Sequence, residues 1–379
     1  MTTIRTTSPF RFDIVGSFLR PERLKQARAD FENGTITQEE LRHVEDEAII
    51  ELIRKQEKAG LKAVTDGEFR RSWWHLDFFW GLNGIIRRKP AHGYRFNGIE
   101  TRADTVQITG PISGTHHPFV EHFKFTQKHT SQGVQVKQTI PAPAQFLKEL
   151  YREDNLLEVR NYYAMEEELI QTIAKAYREV LLELYQAGAR VIQLDDCSWG
   201  MLVGKLPEGF QKTGQDPHVV KEQLKELYLN VNNAALVDLP EDLTINTHVC
   251  RGNYHSHWSA SGGYDDVAEP LFTSENVTTY YLEYDTDRSG GFEPLAKVSE
   301  DKLVVLGLIT TKTGELEDRQ RIIDRIHEAS RYVPLDRLAL SPQCGFASTE
   351  EGNVLSEEEQ WEKIALVKSI AEEVWEGEK

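Results

Sequence analysis

At 379 residues the chain is long enough for one large domain or two ordinary ones, and its 39% hydrophobic content suits a globular protein with a real core. With 44 basic against 61 acidic residues its net charge is −17, which argues against nucleic acid or an anionic membrane as the main partner. No window reaches the roughly 18 apolar residues of a membrane span, residues 1–9 lack the apolar stretch of a secretion signal, and Cys197, Cys250 and Cys344 make no even disulfide set. The expectation is a cytoplasmic protein acting on small molecules, with no nucleic-acid or membrane partner and with a homo-oligomer left open.

Residues 11–17 read as an opening strand that ends in Gly16 and Ser17. Thr37 with Glu40 then forms a capping box, apolar residues follow at helical spacing, and Gly60 stops the helix. Residues 63–68 are a short strand ending in Asp66, Gly67 and Glu68. Residues 71–135, dense in aromatics, glycine and histidine, are expected to be an irregular insertion with one strand-like piece at 106–110; no linker brackets them, so the chain is read as a single domain, 1–379.

A strand is expected at 136–143. A helix follows, with Leu169, Ile170, Ile173, Tyr177, Val180, Leu181 and Leu184 on one stripe, and Gly188 closes it. Residues 190–196 form an apolar strand ending in Asp195 and Asp196. Asp216 before Pro217 caps a helix running to about 238. Four further strands are expected at 243–250, 277–284, 303–310 and 338–344. Helices lie over 319–330 and from Ser356, whose capping box uses Glu359.

Strand and helix alternate almost throughout, and eight principal strands predict an α/β fold: a (β/α)8 TIM barrel with long insertions. A doubly wound open sheet is the alternative, disfavoured because no glycine-rich phosphate loop follows a strand. Gly16, Ser17, Asp66, Glu68, Asp195, Asp196, His248, Cys250, Glu283, Thr310, Thr311, Lys312 and Cys344 all fall at the C-terminal ends of strands. In a barrel those ends converge on one face, where active sites are built.

His248 and Cys250 stand two apart on a strand and so share a face. With Glu283 and Cys344 they supply one imidazole, two sulfurs and one carboxylate, a set that zinc accepts. The plain alternative is two small buried thiols, a core histidine and an ordinary strand-end glutamate; residue types alone leave both open. Cys197 is a rival ligand or a small buried thiol, and His255 and His257 read as surface histidines. The acids have a plain use too, as caps for the helices that follow. Clustered acids also suit a substrate ammonium, and Gly16 with Ser17 suits a carboxylate. Joined to a thiolate-binding metal, these pockets suggest a thiol amino acid.

The stretches Ile14-Val-Gly-Ser-Phe18, Asp66-Gly-Glu68, Gln193-Leu-Asp195, Thr247-His-Val-Cys250, Leu282-Glu283 and Ser341-Pro-Gln-Cys-Gly345 resemble the cobalamin-independent methionine synthase family, specifically its C-terminal catalytic barrel. The resemblance implies Zn2+ on His248, Cys250, Glu283 and Cys344, and methyl transfer to the sulfur of homocysteine. It also implies that Asp195 and Glu68 hold the substrate ammonium while Gly16 and Ser17 meet its carboxylate. Full-length relatives carry an additional N-terminal barrel, so this chain is expected to be the catalytic half alone. Where the family has a catalytic histidine this chain has Lys312, which leaves the methyl donor open between methyltetrahydrofolate, a methyl-corrinoid delivered with or without a partner protein, and another methyl compound. Alkyl transfer to a different thiol and a zinc hydrolase are the rival functions; a hydrolase would act without any added thiol.

Overall fold

The structure, a computed structural model, describes residues 5–204, 206 and 215–375. Its centre is a seven-stranded parallel sheet: β1 (Ala63–Val64), β2 (Gln135–Pro141), β3 (Val191–Asp196), β4 (Thr244–Val249), β5 (Thr279–Glu283), β6 (Leu303–Ile309) and β7 (Leu338–Pro342), each paired with the next in chain order. The eighth position is taken by the segment after Arg11. Phe12 bridges Leu340 in parallel on β7, while on the other side Phe18 N donates to Gly67 O at 3.1 Å and Thr65 Oγ1 to Gly16 O at 2.6 Å. These contacts close the sheet into the (β/α)8 barrel expected from the alternation.

The strands are rich in β-branched and other apolar residues and are buried along nearly their whole length, as a parallel sheet covered by helices requires. The long outer helices are amphipathic. Gln38–Ala59 begins at the Thr37–Glu40 capping box and ends on Gly60 in the left-handed conformation. Glu166–Gln186 buries Leu169, Ile173, Val180 and Leu184 on one stripe. Pro217–Ala235 starts at Asp216, whose carboxylate accepts from His218 N, and Glu357–Val374 starts at the Ser356–Glu359 box. Among the described residues no helix is long and apolar enough to cross a membrane.

The stretch 71–135, expected to be irregular, holds defined elements. Asn83–Arg88 pairs antiparallel with Thr105–Ser113, Arg95–Phe96 with Ile99–Glu100, and helices span Leu76–Gly81 and Pro118–His129. Glycines 84, 93 and 98 and Pro111 interrupt the alternation that would have marked these strands. Two short helices, Pro143–Leu150 and Glu153–Tyr162, follow β2, where the prolines at 141 and 143 read only as the end of a strand.

Candidate active site

His248 lies near the end of β4, directly opposite Asp195 of β3 in the strand register, and Glu283 ends β5. Cys250 and Cys344 follow their strands by a residue or two. The barrel thereby draws His248, Cys250, Glu283 and Cys344 together: one ligand atom from each lies within 4.8 Å of all the others, and all four residues are buried. Cys197, the rival ligand, packs on Cys250 and Cys344 under Trp74 but is not in that four-residue set. His255 and His257 stand apart, bonded to the carbonyls of Gly352 and Asn97.

Does this set fit a metal? His248 is 1% exposed, yet neither ring nitrogen has a hydrogen-bond partner. A buried unsatisfied polar atom costs about 1–3 kcal/mol, so an imidazole orphaned at both nitrogens points to a missing ligand. The thiols respond to their crowding. Cys250 is pushed well above the usual thiol range, first by its hydrogen bond with Cys197 and then by burial. Cys344 is pushed up by Cys250 and by burial. A divalent cation would reverse this, since coordination deprotonates thiols. Glu283 is already held below the usual carboxylate range: burial opposes ionisation, but the charges of Lys312, Arg288 and His248 outweigh it. Its Oε1 accepts from Arg251 N at 2.9 Å and its Oε2 pairs with Arg288 at 2.7 Å. The donor set fits a borderline-soft divalent metal.

A second constellation shares the cavity. Ser17, Glu68, Trp74, Asp195 and Ser348 line it together with His248, Cys250 and Cys344. Glu68 is a non-glycine residue in the left-handed region, φ 62°, and follows Gly67 at φ 68°. Such a conformation persists only where the surroundings impose it. Arg20 supplies that constraint: its buried guanidinium donates to the carbonyls of Glu68 at 2.8 Å, Arg71 at 3.1 Å and Ala347 at 2.6 Å, tying the loops together. Glu68 Oε1 accepts from Thr139 Oγ1 at 2.8 Å and pairs with Arg71 at 3.2 Å, while Oε2 is buried without a partner.

Asp195 Oδ1 accepts from Gln193 Nε2 at 2.8 Å. Burial, and then repulsion from Glu68, push its carboxyl well above the usual range, and burial raises Glu68 as well. Two buried carboxyls that resist ionisation beside each other favour a cationic guest. Asp196, by contrast, takes the plain role: it caps the short helix Cys197–Gly200 through Ser198 N. Ser17 Oγ accepts from Ala347 N at 3.3 Å, and a Cβ on Gly345 would stand 1.9 Å from that oxygen, so glycine is required there.

Lys312 stands beside the cluster rather than in it. Its Nζ is 3.5 Å from Asn253 Oδ1, and its charge acts on Glu283. From the cysteines a cleft of about 1480 Å³ opens outward, sharing Trp74, Cys250 and Ser348 with the inner cavity. Trp74, Ser348, Asn253 and Arg288 were not singled out in the sequence, because loops carry no periodic signal; only the aromatic density at 73–80 hints at the first.

Comparison with known proteins places these residues in company. The family model "Cobalamin-independent synthase, Catalytic domain" matches residues 11–365. The uncharacterized protein YxjH of Bacillus subtilis (strain 168) is 45% identical over 371 residues, covering 97% of this chain and 95% of that protein. A Listeria monocytogenes structure described in terms of vitamin-B12-independent methionine synthase superposes with a TM-score of 0.73 at 38% identity, over 97% of this chain and 99% of that one. A B12-independent methionine synthase from Shewanella sp. W3-18-1, solved with selenomethionine, shares the fold with a TM-score of 0.71 at 22% identity, over 96% and 97% of the two chains.

Proposed function

The chain belongs to the cobalamin-independent synthase family, matching its catalytic domain, and on that premise we propose that it methylates the thiol of homocysteine to give methionine, with zinc held by His248, Cys250, Glu283 and Cys344. Family membership supports a methyltransferase; the acceptor and the metal are the further step. The observation that carries that step is one cavity lined both by His248, Cys250 and Cys344 of the sulfur-rich cluster and by the Glu68–Asp195 acid pair.

An amino acid with a thiol side chain matches both groups at once. Its ammonium sits against Asp195 and the unpartnered Oε2 of Glu68, which then ionise because a positive charge offsets their burial. Its carboxylate meets Gly16 and Ser17. Its sulfur reaches the cysteines. Bound zinc supplies thiol acidity there: a free thiol, with a pKa near ~8.5, is mostly protonated at neutral pH. In the reaction a sulfur–carbon bond forms to the methyl group, the methyl–donor bond breaks with its electrons staying on the donor, and the thiol proton is released. Trp74 packed on the cysteines helps keep water from the sulfur, and Lys312 stands beside the cluster near Asn253, which lines the outer cleft. A small-molecule methyltransferase of this kind acts in the cytoplasm.

The test is methyl transfer to homocysteine by the zinc-loaded protein, assayed with methyltetrahydrofolate, methylcobalamin and simple S-methyl compounds. Methionine formation dependent on homocysteine is the expected result. Hydrolysis of a donor without any thiol, or transfer confined to other thiols, would overturn it.

A further inference from the structure

The outer cleft is walled by a hydrogen-bonded chain that takes no part in the proposed binding of homocysteine and zinc. His75 is 3% exposed and lines the cleft; its Nε2 lies 3.1 Å from Tyr94 Oη, which donates to Glu149 Oε2 at 2.6 Å. Glu149 Oε1 in turn accepts from Arg152 at 2.9 Å and from Thr105 Oγ1. Proton counting fixes the polarity of this chain. The salt-bridged Glu149 carboxylate offers only acceptors, so the single Tyr94 proton points to it. The Tyr94 oxygen then accepts from His75, which puts the imidazole proton on Nε2 and leaves Nδ1 a bare lone pair.

Burial, with Lys148 and Arg152 adding repulsion, holds His75 well below the usual imidazole range, so the ring is neutral. Its Nδ1 is buried and has no hydrogen-bond partner. Lys148, on the same wall and close enough to act on His75, makes no hydrogen bond or ion pair among the described residues. Burial lowers it although Cys197, Asp196, Glu149 and Cys250 pull the other way. The Trp74 ring packs on His75, with centroids 4.5 Å apart, and also on the cysteine cluster. A fixed acceptor and a spare ammonium therefore stand one indole away from the sulfurs.

An acceptor and a cationic donor lining one cleft suit a group that offers an N–H beside a carbonyl. We propose that His75 and Lys148 bind the methyl-donating substrate by an amide-like edge, His75 Nδ1 accepting from its N–H and Lys148 Nζ donating to its carbonyl oxygen. This rests on the reading that the cleft receives the methyl donor. Neither residue belongs to the ligand cluster or to the acid pair, so their roles separate from those of the inner cavity.

Two probes carry such an edge in different frames: methyltetrahydrofolate in its pterin lactam and methylcobalamin in its side-chain amides. Calorimetry on the zinc-loaded protein measures the binding of each without homocysteine. At least one probe binds wild type, and Lys148→Met and His75→Leu each weaken it ten-fold or more. Lys148→Arg and His75→Asn, which keep a donor and an acceptor near the native atoms, recover most of the loss and guard against a folding artefact. Nitrogen NMR of histidine-labelled protein shows His75 with its proton on Nε2. Homocysteine affinity, titrated separately, is unchanged in all four variants, and that titration tests the thiol-acceptor reading by itself. The proposal is overturned if both probes bind, or fail to bind, the Leu and Met variants as they do wild type, or if the His75 proton is on Nδ1.

Discussion

The sulfurs of Cys250 and Cys344 stand 3.8 Å apart although 94 residues separate them in the chain. Two barrel strands are needed to bring them there, with His248 and Glu283 arriving on the same face. A pair of thiols alone would explain neither the orphaned imidazole nor the ionised glutamate held by Arg288. The expected outcome is one zinc per chain. Elemental analysis of protein purified without added metal measures it. Cys344→Ser should lose most of the metal, whereas Cys197→Ser should keep it, because Cys197 packs beside the cluster without joining it. Equal retention by both variants would sink the assignment.

Asp195 and Glu68 yield a prediction with two signs. A charge-assisted hydrogen bond to an ammonium is worth about 1.5–3 kcal/mol, so Asp195→Asn should weaken homocysteine binding about ten- to a hundred-fold. Zinc content should not change. In the free protein the same substitution removes a buried carboxyl that repels Glu68, so the melting temperature should rise rather than fall. Parallel loss of zinc and of homocysteine would instead make Asp195 a support for the ligand cluster.

Beneath the site, Glu275 is a pH gauge for the fold. Its Oε1 accepts from Asn232 Nδ2 at 2.7 Å and from Trp199 Nε1 at 3.2 Å, and the same Nδ2 also donates to Asp196 Oδ2 at 2.9 Å. Burial, and then Asp196, push the Glu275 carboxyl from 4.5 up to about 8. The folded state thus holds a proton that the unfolded chain has already released. Stability is then greatest below about pH 4.5 as far as this group is concerned, and it is lost as pH rises from there through about 8. Each pKa unit corresponds to about 1.4 kcal/mol. Glu275→Gln keeps the acceptor for Asn232 and Trp199 but cannot ionise, so its melting temperature should fall less than that of wild type between pH 6 and pH 9. Identical slopes in thermal melts would show that the carboxyl is not protonated in the folded protein.

The barrel was legible because its strands are separated by strongly periodic helices and because their polar residues gather at one end. Capping boxes at Thr37 and Ser356 marked helix starts to the residue. The candidate ligands His248, Cys250, Glu283 and Cys344 were visible as residue types at strand ends, and only closure of the sheet could show that they meet. Other parts were hidden for physical reasons. Lys148 rides on a helix that opens with Pro143 at its first position immediately after β2, and a proline there looks like the end of a strand rather than the start of a helix. His75 gains its meaning from Tyr94 and Glu149, which are 19 and 74 residues further along the chain. Arg20 acts through the backbone carbonyls of Phe18, Glu68, Arg71 and Ala347, contacts with no sequence signature.

Lys312 bears on the identity of the donor. Departure of a methyl group from a folate nitrogen leaves that nitrogen basic, so a general acid is useful there. An ordinary lysine is a far weaker acid than histidine, at ~10.4 against ~6.5. Lys312 is placed to act by charge instead: its Nζ faces Asn253 Oδ1 at 3.5 Å, and its field helps keep Glu283 ionised. A methyl-corrinoid needs no protonation of its leaving group, which suits a fixed positive charge. We therefore expect wild type to turn over methylcobalamin faster than methyltetrahydrofolate. Lys312→His should narrow that gap by raising the folate rate, and Lys312→Met should depress both rates while zinc binding weakens as Glu283 loses one of the cations that keep it ionised. Initial rates with each donor, together with zinc content, decide the matter. Brisk wild-type turnover with methyltetrahydrofolate alone, unimproved in the histidine variant, would show that Lys312 itself serves the folate reaction.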